Sequence, residues 1–218
     1  MSPTAEIYYK RSTDGGTTWA KTKRLTWNSE YSGDVSIAID LNDNIHIVWC
    51  DYSYGGVQIF YKMSTDGGVS WSGAKSIRGT FSGSGDPNIA IDQNNHIHVS
   101  WGSVGSSMER IAYTKSTDGG VTWAETKELT WRDSDDPKIA VDANNNIHVV
   151  WEGNCSKYSS DTEIYHSVST DGGTTWKTKR LCWTPGESRT PDIAVDSSNH
   201  LHVVWEDFHE IYYKKGIQ

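Results

Sequence analysis

The octet Ser-Thr-Asp-Gly-Gly-x-x-Trp occurs four times in this chain, at 12–19, 64–71, 116–123 and 169–176. Its aspartates, Asp14, Asp66, Asp118 and Asp171, are 52, 52 and 53 residues apart. A period of that length fits one four-stranded blade of a propeller better than any helical repeat. The octet reads as a structural turn. Paired glycines supply backbone angles with φ > 0 that residues with a Cβ avoid. The aspartate and the Ser and Thr hydroxyls bond to backbone inside the turn. The closing tryptophans Trp19, Trp71, Trp123 and Trp176 can fold back over the hairpin.

Each unit then reads as four short strands, A to D. Strand A is the run Ser36–Asp40, with equivalents ending at Asp92, Asp142 and Asp196. An Asn-rich turn leads to strand B, Ile45–Trp49, whose equivalents end at Trp101, Trp151 and Trp205. Strand C is a run such as Gln58–Lys62, and the octet turns it into strand D, such as Lys23–Trp27. The eleven tryptophans fall into three repeat positions: four close the octet, four end strand B, and Trp27, Trp131 and Trp183 end strand D, where Phe81 fills the fourth place. The phase runs C-D, three complete units, then A-B-C, and residues 6–10 and 210–214 are both Glu-Ile-Tyr-Tyr-Lys. Residues 1–218 are therefore expected to form a single all-β propeller domain of four-stranded antiparallel blades. It comprises four repeats of about 52 residues plus one duplicated strand C.

The octet resembles the Asp box, or BNR repeat, of the sialidase-like β-propeller superfamily. That superfamily holds both enzymes and binding proteins, and the box is a structural turn in all of them. The resemblance favours an extracellular location. In the enzymes it implies an active site on the face away from the boxes, with a clamp of three arginines, a Tyr–Glu pair, an Asp acid, and about six blades. An Arg-Ile-Pro motif usually precedes the first box there, and none occurs here. Of the arginines, Arg110, Arg132 and Arg189 can reach the loop face, but nothing in the sequence groups them.

The hydrophobic fraction is 35%, below the usual level of about 45–50%. Order is nevertheless expected, because 11 Trp, 11 Tyr and 3 Phe recur in register. The net charge of −8 disfavours nucleic acid as a partner. No apolar run approaches the roughly 18 residues that argue a membrane span, and the start, Met-Ser-Pro-Thr-Ala-Glu, has no apolar signal region. Cys50, Cys155 and Cys182 form no CxxC pair, so neither zinc nor any other cofactor is indicated. Cys155 and Cys182 share one repeat, as a disulfide or as free thiols, with free thiols the simpler reading.

Strand alternation puts the boxes on one face and the variable B–C and D–A loops on the other, where binding usually resides. The loop face should carry Trp49, Trp101, Trp151 and Trp205 from strand B, and Trp27, Phe81, Trp131 and Trp183 from strand D. Asp51, Glu152, Glu206 and Asp207 follow strand B, and Asp34, Asp86 and Asp136 precede strand A. An aromatic plane beside a carboxylate suits a sugar ring. The same aromatics can equally fill space between blades. His46, His98, His148 and His202 share one strand-B position, where bonds to backbone or a turn aspartate are expected rather than a metal ring.

A glycosidase needs two carboxylates about 5–10 Å apart in distinct roles, whereas this sequence keeps its symmetry. Repeated equivalent sites suit multivalent binding. The leading expectation is a non-catalytic propeller that recognises a carbohydrate or cell-surface ligand, with a protein-interaction scaffold as the alternative and a glycoside hydrolase behind both. The duplicated strand leaves either a monomer or a strand-exchanged homodimer that forms an eight-bladed ring from two chains.

Overall fold

The computed structural model describes residues 5–52, 56–77, 84–104, 109–130, 133–154, 161–183, 186–207 and 210–216. Among them every regular element is a strand, and all pairings are antiparallel. β1 (Tyr8–Tyr9) and β2 (Lys23–Arg24) pair alone. Three four-stranded sheets follow. The first is β3 (Ser32–Ile39), β4 (Ile45–Asp51), β5 (Gln58–Ser64) and β6 (Lys75–Ser76). The second is β7 (Ser84–Ile91), β8 (Ile97–Val104), β9 (Glu109–Ser116) and β10 (Lys127–Glu128). The third is β11 (Ser134–Val141), β12 (Ile147–Asn154), β13 (Thr162–Ser169) and β14 (Lys177–Arg180). Among the described residues the last sheet comprises β15 (Ser188–Val195), β16 (Leu201–Asp207) and β17 (Glu210–Gly216). This is the C-D, three-unit, A-B-C phase read from the repeats.

Strand D is shorter than expected. The ladder between β1 and β2 covers two residue pairs, and after Leu25 a side chain takes over. The Ile7 N–H donates to Thr26 Oγ1 at 2.9 Å, and Ile111 does the same to Thr130 at 3.0 Å. Cys182 fills this place in the third sheet, accepting from the Ile164 N–H at 3.1 Å. Cys182 is a free thiol, and Cys155 lies outside the described residues. Once the side chain has ended the ladder, the next residue, Trp27 or Trp183, is free to turn outward, and both are exposed.

The octets fold alike. In the second, Asp66 Oδ1 accepts the Ser70 N–H at 2.8 Å and the Ser64 hydroxyl at 2.8 Å, while Ser64 Oγ accepts the Gly68 N–H at 2.8 Å. These bonds stabilise the carboxylate and lower the pKa of Asp14, Asp66 and Asp118 from the ordinary 3.8 to about 2, the Thr or Ser hydroxyl four residues on acting most. Asp171 is lowered in the same way.

The A–B turns use the same device. Asp40, Asp92, Asp142 and Asp196 each accept backbone N–H bonds two and four residues on, and Asp43, Asn95, Asn145 and Asn199 take φ between 61° and 66°. Asn95, Asn145 and Asn199 also latch onto the preceding turn, accepting the N–H of Leu41, Gln93 and Ala143.

The sheets stack face to face, and each of four core clusters draws on two consecutive sheets. Strand alternation gives each complete sheet two apolar faces. One face of the first complete sheet (Val48, Ile59, Tyr61) meets Ile89, Val99 and Trp101. Its other face, Ile47 and Trp49, meets Ile7 and Leu25.

At three of the junctions a tyrosine locks onto the next octet. Tyr9, Tyr61 and Tyr113 meet Trp71, Trp123 and Trp176 edge to face, with centroids 5.0–5.2 Å apart. Their rings lie where a Cβ on Gly68, Gly120 and Gly173 would stand. The second glycine of the octet therefore answers two demands, a φ of 84–87° at these three positions and a bare surface for the ring.

Gly16 has φ 90° but no atom near its absent Cβ, so Gly16→Ala should cost about 1–2 kcal/mol of backbone strain. Gly120→Ala should cost clearly more, because Tyr61 must also move, as a pair of denaturant titrations will show. Acid should weaken the fold in a defined window. The depressed Asp-box pKa values mean that their contribution is present above pH 3.8 and is lost as pH falls through about 2. The melting temperature of Asp66→Asn should accordingly depend less on pH between 4 and 2 than that of the unmodified chain.

Candidate functional site

The strand-A bulge places the first group of candidate residues. In each complete or nearly complete sheet the A–B register shifts at one point, and there Asp34, Asp86, Asp136 and Thr190 take φ of 48–50°. Non-glycine residues in this region are strained and recur at functional sites. The Asp86 carboxyl is pushed up, first by burial and then by Asp135, Asp34 and Asp136, against Lys138. Glu152 is pushed up mainly by burial, partly opposed by the Thr190 N–H that it accepts at 2.8 Å. The bulges thus gather an acidic group from neighbouring sheets.

The strand-B tryptophans lie inside the stack. Trp49, Trp101, Trp151 and Trp205 are all buried. Three lie parallel to a strand-C aromatic, Trp49 on Phe60 at 5.8 Å, Trp151 on Tyr165 at 6.0 Å and Trp205 on Tyr212 at 5.9 Å. The strand-D residues behave differently. Trp27 and Trp183 are exposed, with Lys62 Nζ 5.5 Å from the Trp27 ring and the Arg180 guanidinium 5.5 Å from Trp183. Phe81 and Trp131 lie outside the described residues.

Two grooves of the same construction open between sheets. One, of about 330 Å³, is lined by Leu129, Thr130, Trp151, Tyr165 and Thr178. The other, of about 220 Å³, is lined by Leu25, Thr26, Trp49, Phe60 and Ala74, which hold the same five repeat positions. Trp27, Asn28, Asp51 and Lys62 also line the second groove. Trp27 and Lys62 border a further hollow of about 400 Å³ that runs to Val69 and Trp71, so Trp27 forms a ridge between two depressions. The groove floor is polar. Asp51 Oδ2 accepts from Asn28 at 2.5 Å, from Ser32 at 2.9 Å and from the Trp49 indole at 3.2 Å, while Asn28 Oδ1 is buried without a partner. In the 330 Å³ groove, Ser134 and Asn154 supply the polar atoms.

Other candidates serve the scaffold. His46 and His98 bond Tyr61 and Tyr113 through Nδ1 at 2.7 and 2.8 Å and approach Asp40 and Asp92 at 3.4 Å. His148 bonds His166 at 3.0 Å and approaches Asp142 at 3.4 Å, and His202 bonds Tyr213 and Asp196 at 2.7 and 3.0 Å. Burial lowers the pKa of His46, His98 and His148, which favours the neutral ring. Among the described residues no group of three or more His, Cys, Asp or Glu is arranged to hold a metal. Arg110 pairs with Glu128, Arg189 pairs with Glu187 at 2.9 Å, and Arg132 lies outside the described residues. Asp207 is buried and accepts from Ser188 at 3.3 Å, whereas Glu206 is exposed.

Thr26, Asn28, Phe60, Lys62 and Tyr165 line the grooves without being among the site residues expected from the sequence. Leu25-Thr26-Trp27, Leu129-Thr130-Trp131 and Leu181-Cys182-Trp183 repeat in the sequence, and this recurring small hydrogen-bonding residue was the signal for the groove wall.

The fold is shared with sugar-processing enzymes. The chain is similar in structure to the Hadza microbial sialidase Hz136 (TM-score 0.70, 13% identity), covering 85% of this chain and 44% of that one. It is also similar to the NanB sialidase from Streptococcus pneumoniae (TM-score 0.61, 13% identity, 94% and 33%). The alpha-L-arabinofuranosidase arb93a from Fusarium graminearum is a third (TM-score 0.62, 15% identity, 84% and 61%). The chain thus spans under half the length of the two sialidases. No curated protein matches the sequence. The model of the BNR repeat-like domain matches residues 2–203, nearly the whole chain, and the protein belongs to that family.

Proposed function

We propose that this protein binds carbohydrate without cleaving it, through the grooves between consecutive sheets. The observation that carries this reading is the recurrence of one groove from the same five repeat positions at two junctions. A catalytic centre needs unlike groups in single copies, whereas a multivalent binder gains avidity from copies of one weak site. The groove chemistry fits a sugar. The exposed Trp27 face offers a plane for C–H groups, and the polar side chains of Asn28, Asp51 and Lys62 line the same depression. The similar structures carry the names sialidase and arabinofuranosidase, and those names support a sugar as the ligand.

A glycan array on the purified chain tests the reading, and an array without a hit would end it. With a ligand in hand, Trp27→Ala should weaken binding about tenfold, equivalent to 1.4 kcal/mol, by titration calorimetry. Its melting temperature should barely move, because Trp27 is already exposed and surface substitutions generally stay within about 0.5 kcal/mol.

Hydrolysis draws support from one observation, the raised carboxyls Glu152 and Asp86 at the strand-A bulges. Against it, Arg110 and Arg189 are paired to acids and the buried Asp51 accepts three hydrogen bonds within its groove. A fluorogenic sialoside and an arabinofuranoside should show no turnover. Turnover that disappears in Glu152→Gln would replace binding with catalysis.

A further inference from the structure

The stack ends in two uncovered faces, and each is half of a junction that is complete elsewhere in the chain. On the last sheet Val204, Ile211 and Tyr213 are 39%, 77% and 58% exposed. Their repeat equivalents Val48, Ile59 and Tyr61 are 0%, 0% and 2% exposed. At the other end Ile37 is 55% exposed, whereas its equivalents Ile89 and Ile139 are each 6% exposed. Ile37 is bare because, among the described residues, β1 and β2 have no A and B strands beside them. The last sheet has those two strands, β15 and β16, and among the described residues it has no strand D. Each end holds what the other is missing.

The duplicated pentapeptide makes the two ends interchangeable. β2 holds β1 through the pairs Tyr8↔Arg24 and Tyr9↔Lys23, through the Arg24 bond to Glu6, and through the Ile7 N–H on Thr26 Oγ1 at 2.9 Å. Glu210, Ile211, Tyr212 and Tyr213 offer the same groups in the same order. β17 is also the better anchored copy, with seven residue pairs to β16, whereas β1 pairs only with β2. Among the described residues no strand pairing and no core cluster joins β15–β17 to β1–β2 of the same chain.

We propose that a second copy of this chain covers these faces: β15–β17 of one copy dock against the β3–β6 sheet of the other, with β17 replacing β1 beside β2. Ile211 then takes the place of Ile7 on Ile47 and Trp49, and Tyr213 the place of Tyr9 on Gly68 and Trp71. Val204 covers Ile37 as Val48 covers Ile89. The free edge of a sheet invites this kind of strand addition. Made twice, once at each end, the contact is head to tail and closes a two-fold pair into one ring of eight blades.

Light scattering on the full 218-residue chain at high concentration tests this. The expected mass is twice the 24.4 kDa of one chain, and Ile211→Asp should return it to 24.4 kDa without lowering the melting temperature of the single chain. Three results would each overturn the proposal: a mass of 24.4 kDa for the unmodified chain, which includes a ring closed within one chain, a series of larger species, or a pair that survives Ile211→Asp. Removal of residues 1–10 should leave the pair intact, since β17 fills the place of β1. A shortened chain that no longer pairs, or no longer folds, would show that β1 holds its place and would overturn the exchange.

Discussion

Every complete sheet in this protein is apolar on both faces, and the rest of the structure follows from that. A four-stranded sheet with Ile47 and Trp49 on one side and Val48 and Ile59 on the other is not stable in water alone. It has to be covered by a sheet like itself, and the covering sheet then presents the same need. Repetition is the economical solution, and the strand-C tyrosine sets the spacing. Its ring rests on a glycine of the next octet and its hydroxyl bonds the ring of a strand-B histidine, so one side chain ties neighbouring strands and neighbouring sheets.

The polar interior serves the same stacking. Burial favours the neutral rings of the core histidines, and His98 and His148 find partners on both nitrogens, a tyrosine or histidine on one side and a turn aspartate on the other. A polar group in such a place would be costly without both bonds. Because the aspartate also closes the A–B turn, the turn and the core are ordered together. His166 stands where other sheets have tyrosine and bonds His148 in its place.

The proposed sites collect where the stacking is imperfect. The grooves open beside the strand-D ends, where Thr26 or Thr130 replaces a ladder bond with a side-chain bond and the chain leaves the sheet. The exposed Trp27 follows that departure directly. The bulged aspartates belong to another imperfection, the single register slip in strand A, which turns acidic side chains of three sheets toward one region. Both irregularities recur with the repeat, so any site built on them is repeated as well.

The octets, the tryptophan register and the phase of the two ends were all visible in the sequence, because they are local patterns with a fixed period. They determined the strand order, the sheet composition and the incomplete first and last sheets. The histidine position was legible for the same reason, since four copies at one place in strand B imply a packing role. The sequence could not decide which aromatics are covered. Trp49 and Trp27 are both large, apolar and repeated, yet one is buried and the other exposed. That difference arises because strand B lies between two sheets, whereas the ladder ends before Trp27 and releases it at the edge. The grooves likewise exist only in tertiary structure, since their walls come from residues more than twenty positions apart on two sheets. Periodicity specifies which residues are equivalent, but the packing of neighbouring sheets decides which equivalent residues meet solvent.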